Sequence, residues 1–123
     1  LHDALPIYEV QVNSGIDIQF RKNEPTFTLT SEAELSIFRG VQEAITNAMR
    51  HGQATRITVL LMYNPSQLVV TIKDNGTGAV DLAPKGGLKS LQERLRAEGG
   101  SVTLEASNPG VTVQMILPNT EKQ

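Results

Sequence analysis

The chain has 123 residues and 39% hydrophobic content, which fits a single buried core. A formal charge of −2 gives no electrostatic footprint for nucleic acid or anionic lipid. Cysteine is absent, so disulfides and thiolate metal sites cannot contribute; no run approaches a membrane span and no signal peptide is evident.

In chain order, Leu1–Ile7 lacks an initiator methionine and reads like a translated sequencing adaptor, a cloning or assembly scar set aside from functional argument. The expected domain runs over residues 8–118, with 119–123 as a tail. A turn at Asn13–Gly15 precedes a strand over Ile16–Arg21, and a short extended stretch, Thr26–Leu29, leads into the best helix, Ser31–His51. Ser31 and Glu34 make a capping box; Leu35, Phe38, Val41, Ile45, Ala48 and Met49 follow a helical period; Gly52 stops the helix. Arg56–Tyr63 and Gln67–Asp74 form a hairpin around Asn64-Pro65-Ser66. Gly76–Gly86 is irregular and reads as a lid. Leu88–Glu98 is a helix with Leu88, Leu91 and Leu95 inward, ended by Gly99-Gly100. Val102–Ala106 and Val111–Leu117 close the chain as a second hairpin. The expectation is an α/β (α+β) two-layer sandwich, a mixed β-sheet covered on one face by helices, with no internal repeat.

Two features carry chemistry. In the alternating run ending at Asp74, the aspartate shares its face with Leu68, Val70 and Ile72. A carboxylate there needs hydrogen-bond donors or costs several kcal/mol. The glycines of Asp74-Asn75-Gly76-Thr77-Gly78 let the backbone turn and approach a ligand closely. A plain hairpin turn also explains Asp-Asn-Gly. The second feature is on the long helix. At roughly 100° per residue, Arg39, Glu43, Asn47 and Arg50 share the face opposite the apolar one, with His51 at its edge. An ordinary solvated face is the bland alternative. Against it, asparagine has little reason to sit deep in a helix unless its amide is used. Carboxylate, carboxamide and guanidinium together suit a metal-bound polyphosphate.

Arg39-Gly40-Val41-Gln42-Glu43-Ala44-Ile45-Thr46-Asn47-Ala48-Met49-Arg50-His51-Gly52 closely resembles the N box of bacterial sensor histidine kinases, best in the subclass that includes the nitrate and nitrite sensors. Asp74-Asn75-Gly76-Thr77-Gly78 looks like that family's G1 box. Gly87-Leu88, with Leu91-Gln92-Glu93-Arg94-Leu95 and Gly99-Gly100, is similar to its G2 box and following helix. The resemblance runs from about Gly15 to Pro118 and implies a Bergerat-type ATP-binding fold. It implies that Asn47 coordinates the Mg²⁺ bridging the ATP phosphates and that Glu43 polarises the attacking group. Arg50 and His51 would face the phosphates. Asp74 would accept a hydrogen bond from the adenine amino group. Gly76 and Gly78 would let the chain pass the nucleotide. Gly87 and Leu88 would close the phosphate side at a helix N-terminus, and Lys85 could add a phosphate contact or equally be an exposed lid residue.

The chain also departs from that pattern. Against Gly-x-Gly-Leu-x-Gly-Met, Lys85 replaces the first glycine, Ser90 the third and Leu91 the methionine. Asn108-Pro109-Gly110 runs into Val111 without a second glycine. Neither His2 nor His51 sits in a phosphoacceptor context. The resemblance therefore implies a cytoplasmic catalytic domain that donates the γ-phosphoryl group of Mg-ATP to a histidine on a separate dimerisation domain. A response regulator would lie downstream, with no direct membrane contact, and the domain alone would be monomeric. An anti-sigma-type serine kinase and a degenerate nucleotide- or partner-binding module are the other readings.

Overall fold

Alternation of apolar side chains builds the sheet. In the computed structural model, which describes residues 7–11, 15–79 and 81–121, the strands are β1 (Ile7–Gln11), β2 (Asp17–Lys22), β3 (Arg56–Asn64), β4 (Gln67–Asp74), β5 (Ser101–Ala106) and β6 (Val111–Pro118); the helices are α1 (Ser31–Arg50) and α2 (Gly86–Arg96). The six strands lie in the order β1-β2-β3-β4-β6-β5. Only β2 and β3 pair in parallel, joined by the crossover through α1; the other neighbours are antiparallel. The sheet is mixed, as expected.

Register fixes which side chains share the core face. Leu68 pairs with Leu117, Val70 with Met115 and Ile72 with Val113, and all six are buried. One row further along, Ile18 pairs with Ile57 and Ile57 with Asp74. Asp74 thus ends an apolar row, where alternation put it. The helices pack onto this face, with Leu88, Leu91 and Leu95 of α2 turned inward.

Several expectations are corrected. The cap of α1 is Thr30, whose hydroxyl accepts from the Ala33 N–H at 3.1 Å, not Ser31. The buried stripe of α1 is Ser36, Ile37, Gly40, Ala44 and Ala48. Leu35 and Phe38, expected inward, are 46% and 60% exposed. Close approach outweighs side-chain size here: a Cβ at Gly40 would stand 2.5 Å from Leu91 Cδ2 and 2.6 Å from Met115 Sδ. The small stripe lets α1 settle onto α2 and β6, and the larger residues rotate to the flanks.

Residues 26–29 form no strand. Phe27 is nonetheless buried, edge-on to Tyr63 with ring centroids 5.3 Å apart. Asn23 replaces a strand partner there: it donates to the Tyr63 carbonyl and accepts from the Tyr63 N–H. α2 begins at Gly86 rather than Leu88 and ends at Arg96 rather than Glu98. β1 was not expected, and Ile7, grouped with the scar, is its first residue; Leu1–Pro6, including His2, lie outside the described residues, as do Asn13 and Ser14 of the expected turn. Of the expected tail, Asn119 donates its backbone N–H to the Ser66 carbonyl, and Gln123 and Lys122 lie outside the described residues. No helix among the described residues is long and apolar enough to cross a membrane.

Candidate nucleotide site

The last turns of α1, the end of β4 and the segment that follows, the start of α2, and strands β5 and β6 enclose a cavity of about 330 Å³. That volume lies in the range of small-molecule pockets. Its walls are apolar: Ala44 and Ala48 from α1, Leu88 from α2, Leu104 from β5, and Val111 and Val113 from β6. Against them converge a few polar groups, Glu43 and Asn47 from α1, His51 just past its end and Asp74 from β4. This pairing of apolar walls with a few polar groups suits a heterocycle with an apolar face and polar edges.

Asp74 is pinned by backbone. Its Oδ1 accepts from the Gly76 N–H at 2.8 Å and from the Val111 N–H at 3.3 Å. Its Oδ2 makes no hydrogen bond to any described residue. One oxygen is therefore fixed and the other is an available acceptor in the cavity wall. Gly110 makes this possible. Its φ of +88° is the left-handed region, and a Cβ there would run into the backbone carbonyl of Asp74. Only glycine fits both conditions.

The turn after β4 is locked to the end of α1. Thr77 donates its N–H to the Gly52 carbonyl at 2.7 Å, and a Cβ on Gly76 would collide with that same carbonyl. Asn75 ties the turn to β3: its Oδ1 accepts from the Thr55 and Arg56 N–H groups, both at 2.9 Å, and its Nδ2 donates to the Thr55 hydroxyl. Gly52 and His51 in turn donate to the Asn47 carbonyl. The helix end that presents Asn47 and the strand end that presents Asp74 are thus joined by main-chain bonds.

The mouth is built differently. Gly78, Ala79, Asp81, Ala83, Lys85 and Gly86 line it. Lys85 Nζ stands 3.0 Å from Asp81 Oδ2, and both side chains are more than half exposed. The Ala83 N–H, and after it the Lys85 ammonium, hold the Asp81 carboxyl below its usual range. In this conformation Lys85 pairs with Asp81.

Of the expected site residues, Glu43, Asn47, His51, Asp74, Gly78, Lys85 and Leu88 line the cavity. Arg50 is exposed and outside the lining. Gly76 lies buried behind the wall. Gly87 faces the Glu43 carboxylate from the first turn of α2. Among the residues the sequence did not indicate are Asn75 as a clamp, Gly110 as the close neighbour of Asp74, and Leu104, Val111 and Val113 as the apolar wall. Alternation along β5 and β6 could have indicated the wall; nothing local signals the partners of Asn75. Among the described residues no cluster of three or more His, Asp or Glu side chains could cage a metal.

Comparison with known proteins agrees with this geometry. Residues 32–121 match the histidine kinase-, DNA gyrase B-, and HSP90-like ATPase family. The chain is 32% identical over 118 residues to the sensor histidine kinase YxjM of Bacillus subtilis, covering 91% of this chain and 28% of that protein. It is 29% identical to the oxygen sensor histidine kinase NreB of Staphylococcus carnosus, over 92% of this chain and 34% of NreB. The chain thus spans about a third or less of these relatives. Among solved structures, the ATP-binding domain of PrrB from Mycobacterium tuberculosis superposes with a TM-score of 0.61 at 22% identity, covering 83% of this chain and 80% of that one. The Acinetobacter baumannii histidine kinase AdeS gives 0.68 at 13% identity, over 85% and 54%. A cavity whose aspartate is pinned by the backbone, on a mixed sheet with helices on one face, and a family match across most of the chain lead to one assignment: this chain belongs to the histidine kinase-, DNA gyrase B-, and HSP90-like ATPases.

Proposed function

We propose that the chain is the catalytic module of a cytoplasmic sensor histidine kinase, binding Mg-ATP and supplying its γ-phosphoryl group to a histidine on a separate dimerisation domain. The observation that carries this reading is Asp74, whose Oδ1 is held by two N–H groups while Oδ2 stays available between apolar walls. An adenine amino group is a donor that such an acceptor selects, whereas guanine presents a carbonyl oxygen at the equivalent position and would face the carboxylate with repulsion. Asn47, Glu43 and His51 lie on the α1 side of the same cavity, where the phosphates would run.

A carboxamide and a single carboxylate do not form a cage. They suit Mg²⁺ carried in by phosphate oxygens, since that ion keeps several waters and takes one or two protein oxygens. Asn47 would hold the ion with Glu43 nearby, and the ion would neutralise phosphate charge. In the transfer, an unprotonated imidazole nitrogen of the acceptor attacks the γ-phosphorus. The bond to the β,γ-bridging oxygen breaks, ADP leaves with that electron pair, and the ring passes its remaining N–H proton to the Glu43 carboxylate or to water. Positioning and charge neutralisation dominate such reactions, so the module alone should hydrolyse ATP slowly. Gly76, Gly78, Gly87 and Leu88 would shape the backbone around the nucleotide; Lys85 and Arg50 would reach phosphate only by leaving their present positions.

Calorimetry with Mg-ATP and Mg-GTP tests the reading. Selective binding of ATP is the expected result, and equal affinity for the two would remove Asp74 as the selector. An acid-labile phosphoprotein formed with the parent dimerisation domain would identify histidine as acceptor; an acid-stable one would point to serine.

A further inference from the structure

Glu43 borders two spaces. It lines the cavity described above, and it also lines a polar groove of about 460 Å³ along the seam between α1 and α2. From α1 the groove receives Ser36 and Arg39, and from α2 Ser90 and Arg94. The seam runs along Ser36–Thr46 of α1 and Gly87–Arg94 of α2, roughly 15 Å and 10 Å at 1.5 Å per residue.

Its charges are unmatched. Among the described residues neither Arg39 nor Arg94 has a carboxylate within ion-pair distance, Glu43 included. Arg94 reaches only the hydroxyl of Ser36, at 3.5 Å, and Ser36 is the buried polar side chain of the core. Guanidinium forks favour planar carboxylates or phosphates. The nucleotide cavity lies on the other side of Glu43, so an anion in the groove approaches from outside the nucleotide, beside the residue expected to handle the attacking group.

We infer that this groove is the docking site for the acceptor: Arg39 and Arg94 receive an acidic side chain on the helix that bears the phosphoacceptor histidine, which brings the imidazole to the γ-phosphoryl group past Glu43. This rests on the cavity being an ATP site. The lining favours a helix over an extended or apolar segment: hydroxyls and guanidiniums spaced three to four residues apart face a seam of helical length, complementary to a polar helix face carrying negative charge.

The experiment uses this chain with Mg-ATP and the dimerisation domain of its parent kinase as acceptor. Arg39→Glu combined with Arg94→Glu should leave the calorimetric affinity for Mg-ATP unchanged and raise the acceptor KM by about tenfold or more, the scale of losing an interfacial charge pair. The milder Arg39→Gln/Arg94→Gln pair guards against misfolding, with the unfolding midpoint as control. Rescue of the charge-reversed chain by an acidic-to-arginine change on the acceptor helix would establish the contact. An unchanged acceptor KM with intact ATP binding overturns the inference. So does a loss of affinity for ATP or inorganic phosphate in the variants at unchanged acceptor KM, which would make the groove a phosphate site. If the unaltered chain binds no ATP, the reading of the cavity fails instead, and docking is then read by calorimetric titration of the acceptor alone.

Discussion

The two ends of the cavity are held in opposite ways. At the β4 end, Asp74 and Asn75 each accept two backbone N–H groups, and Thr77 donates to Gly52. At the mouth, the described residues contribute one turn closed by Asp81 on the Ala83 N–H and one exposed ion pair. The first arrangement is knitted into the sheet, so it opens only when the sheet does. The second is local and water-exposed, the kind of segment that opens at little cost. Selection of a ligand and its enclosure are thereby separated: the acceptor is held by the sheet, and the contacts at the mouth can break without disturbing it.

The largest effect should come from breaking the fixed end at its tightest point. Gly110→Ala puts a side chain into the left-handed region and against the Asp74 carbonyl; strain and overpacking together should cost about 2–5 kcal/mol, read as a lower denaturation midpoint with the cavity lost. Asp74→Asn should act mainly on the ligand. The two N–H groups will hold the amide oxygen where Oδ1 now sits, turning the new NH₂ toward the cavity, donor against donor. ATP affinity should fall by ten- to a hundredfold, the scale of about 1.5–3 kcal/mol for a hydrogen bond to a charged group, with little change in midpoint. Asn75→Ala should cost about 1 kcal/mol, because the Thr55 and Arg56 N–H groups it releases are at the surface and water can reach them.

Breaking the mouth's contacts should hardly register in stability. Lys85→Ala should leave the unfolding midpoint unchanged, since exposed pairs contribute little. If Lys85 swings to phosphate when ATP binds, the same change weakens affinity in a salt-dependent way. The acid side sharpens the contrast. The Asp81 pKa is lowered by its contacts, so the stabilisation they give is present above the ordinary value of 3.8 and disappears as pH falls through the lowered one. Protection of the amides around Ala83, taken relative to the intrinsic exchange rate at each pH, should fall there, below pH 3.8, before that of Val111 does.

How much of this was legible in the sequence follows the same division. Asp74 could be placed from alternation alone because a period of two leaves no freedom once Leu68, Val70 and Ile72 are inward. Glu43 and Asn47 followed from helical period, and the order of elements held from β2 onward. Most of what failed needed a partner distant in sequence. Leu35 and Phe38 misled because the apolar period of α1 admits two neighbouring faces, and the glycine at 40 meeting Leu91 and Met115 decides between them. β1 draws its strand character from pairing with β2, Ile7 to Arg21 and Val10 to Ile18. For Lys85 the sequence allows a phosphate contact or an exposed lid position, and the side chain stands exposed at the mouth, paired with Asp81 four residues earlier.

The clamp at Asn75 has a consequence for the chemical lifetime of the protein. Asparagine is among the thermolabile residues, and before glycine it loses its amide most readily, because the unhindered next nitrogen attacks the side-chain carbonyl carbon to form a cyclic imide. Here the Gly76 nitrogen has its hydrogen committed to Asp74, and the Asn75 amide is bonded at both its oxygen and its nitrogen. Neither partner can turn to meet the other without releasing the aspartate or β3. Spontaneous deamidation at this dipeptide therefore waits on opening of the turn, so its rate, followed by mass spectrometry, becomes a slow clock for how often the binding end of the sheet comes apart.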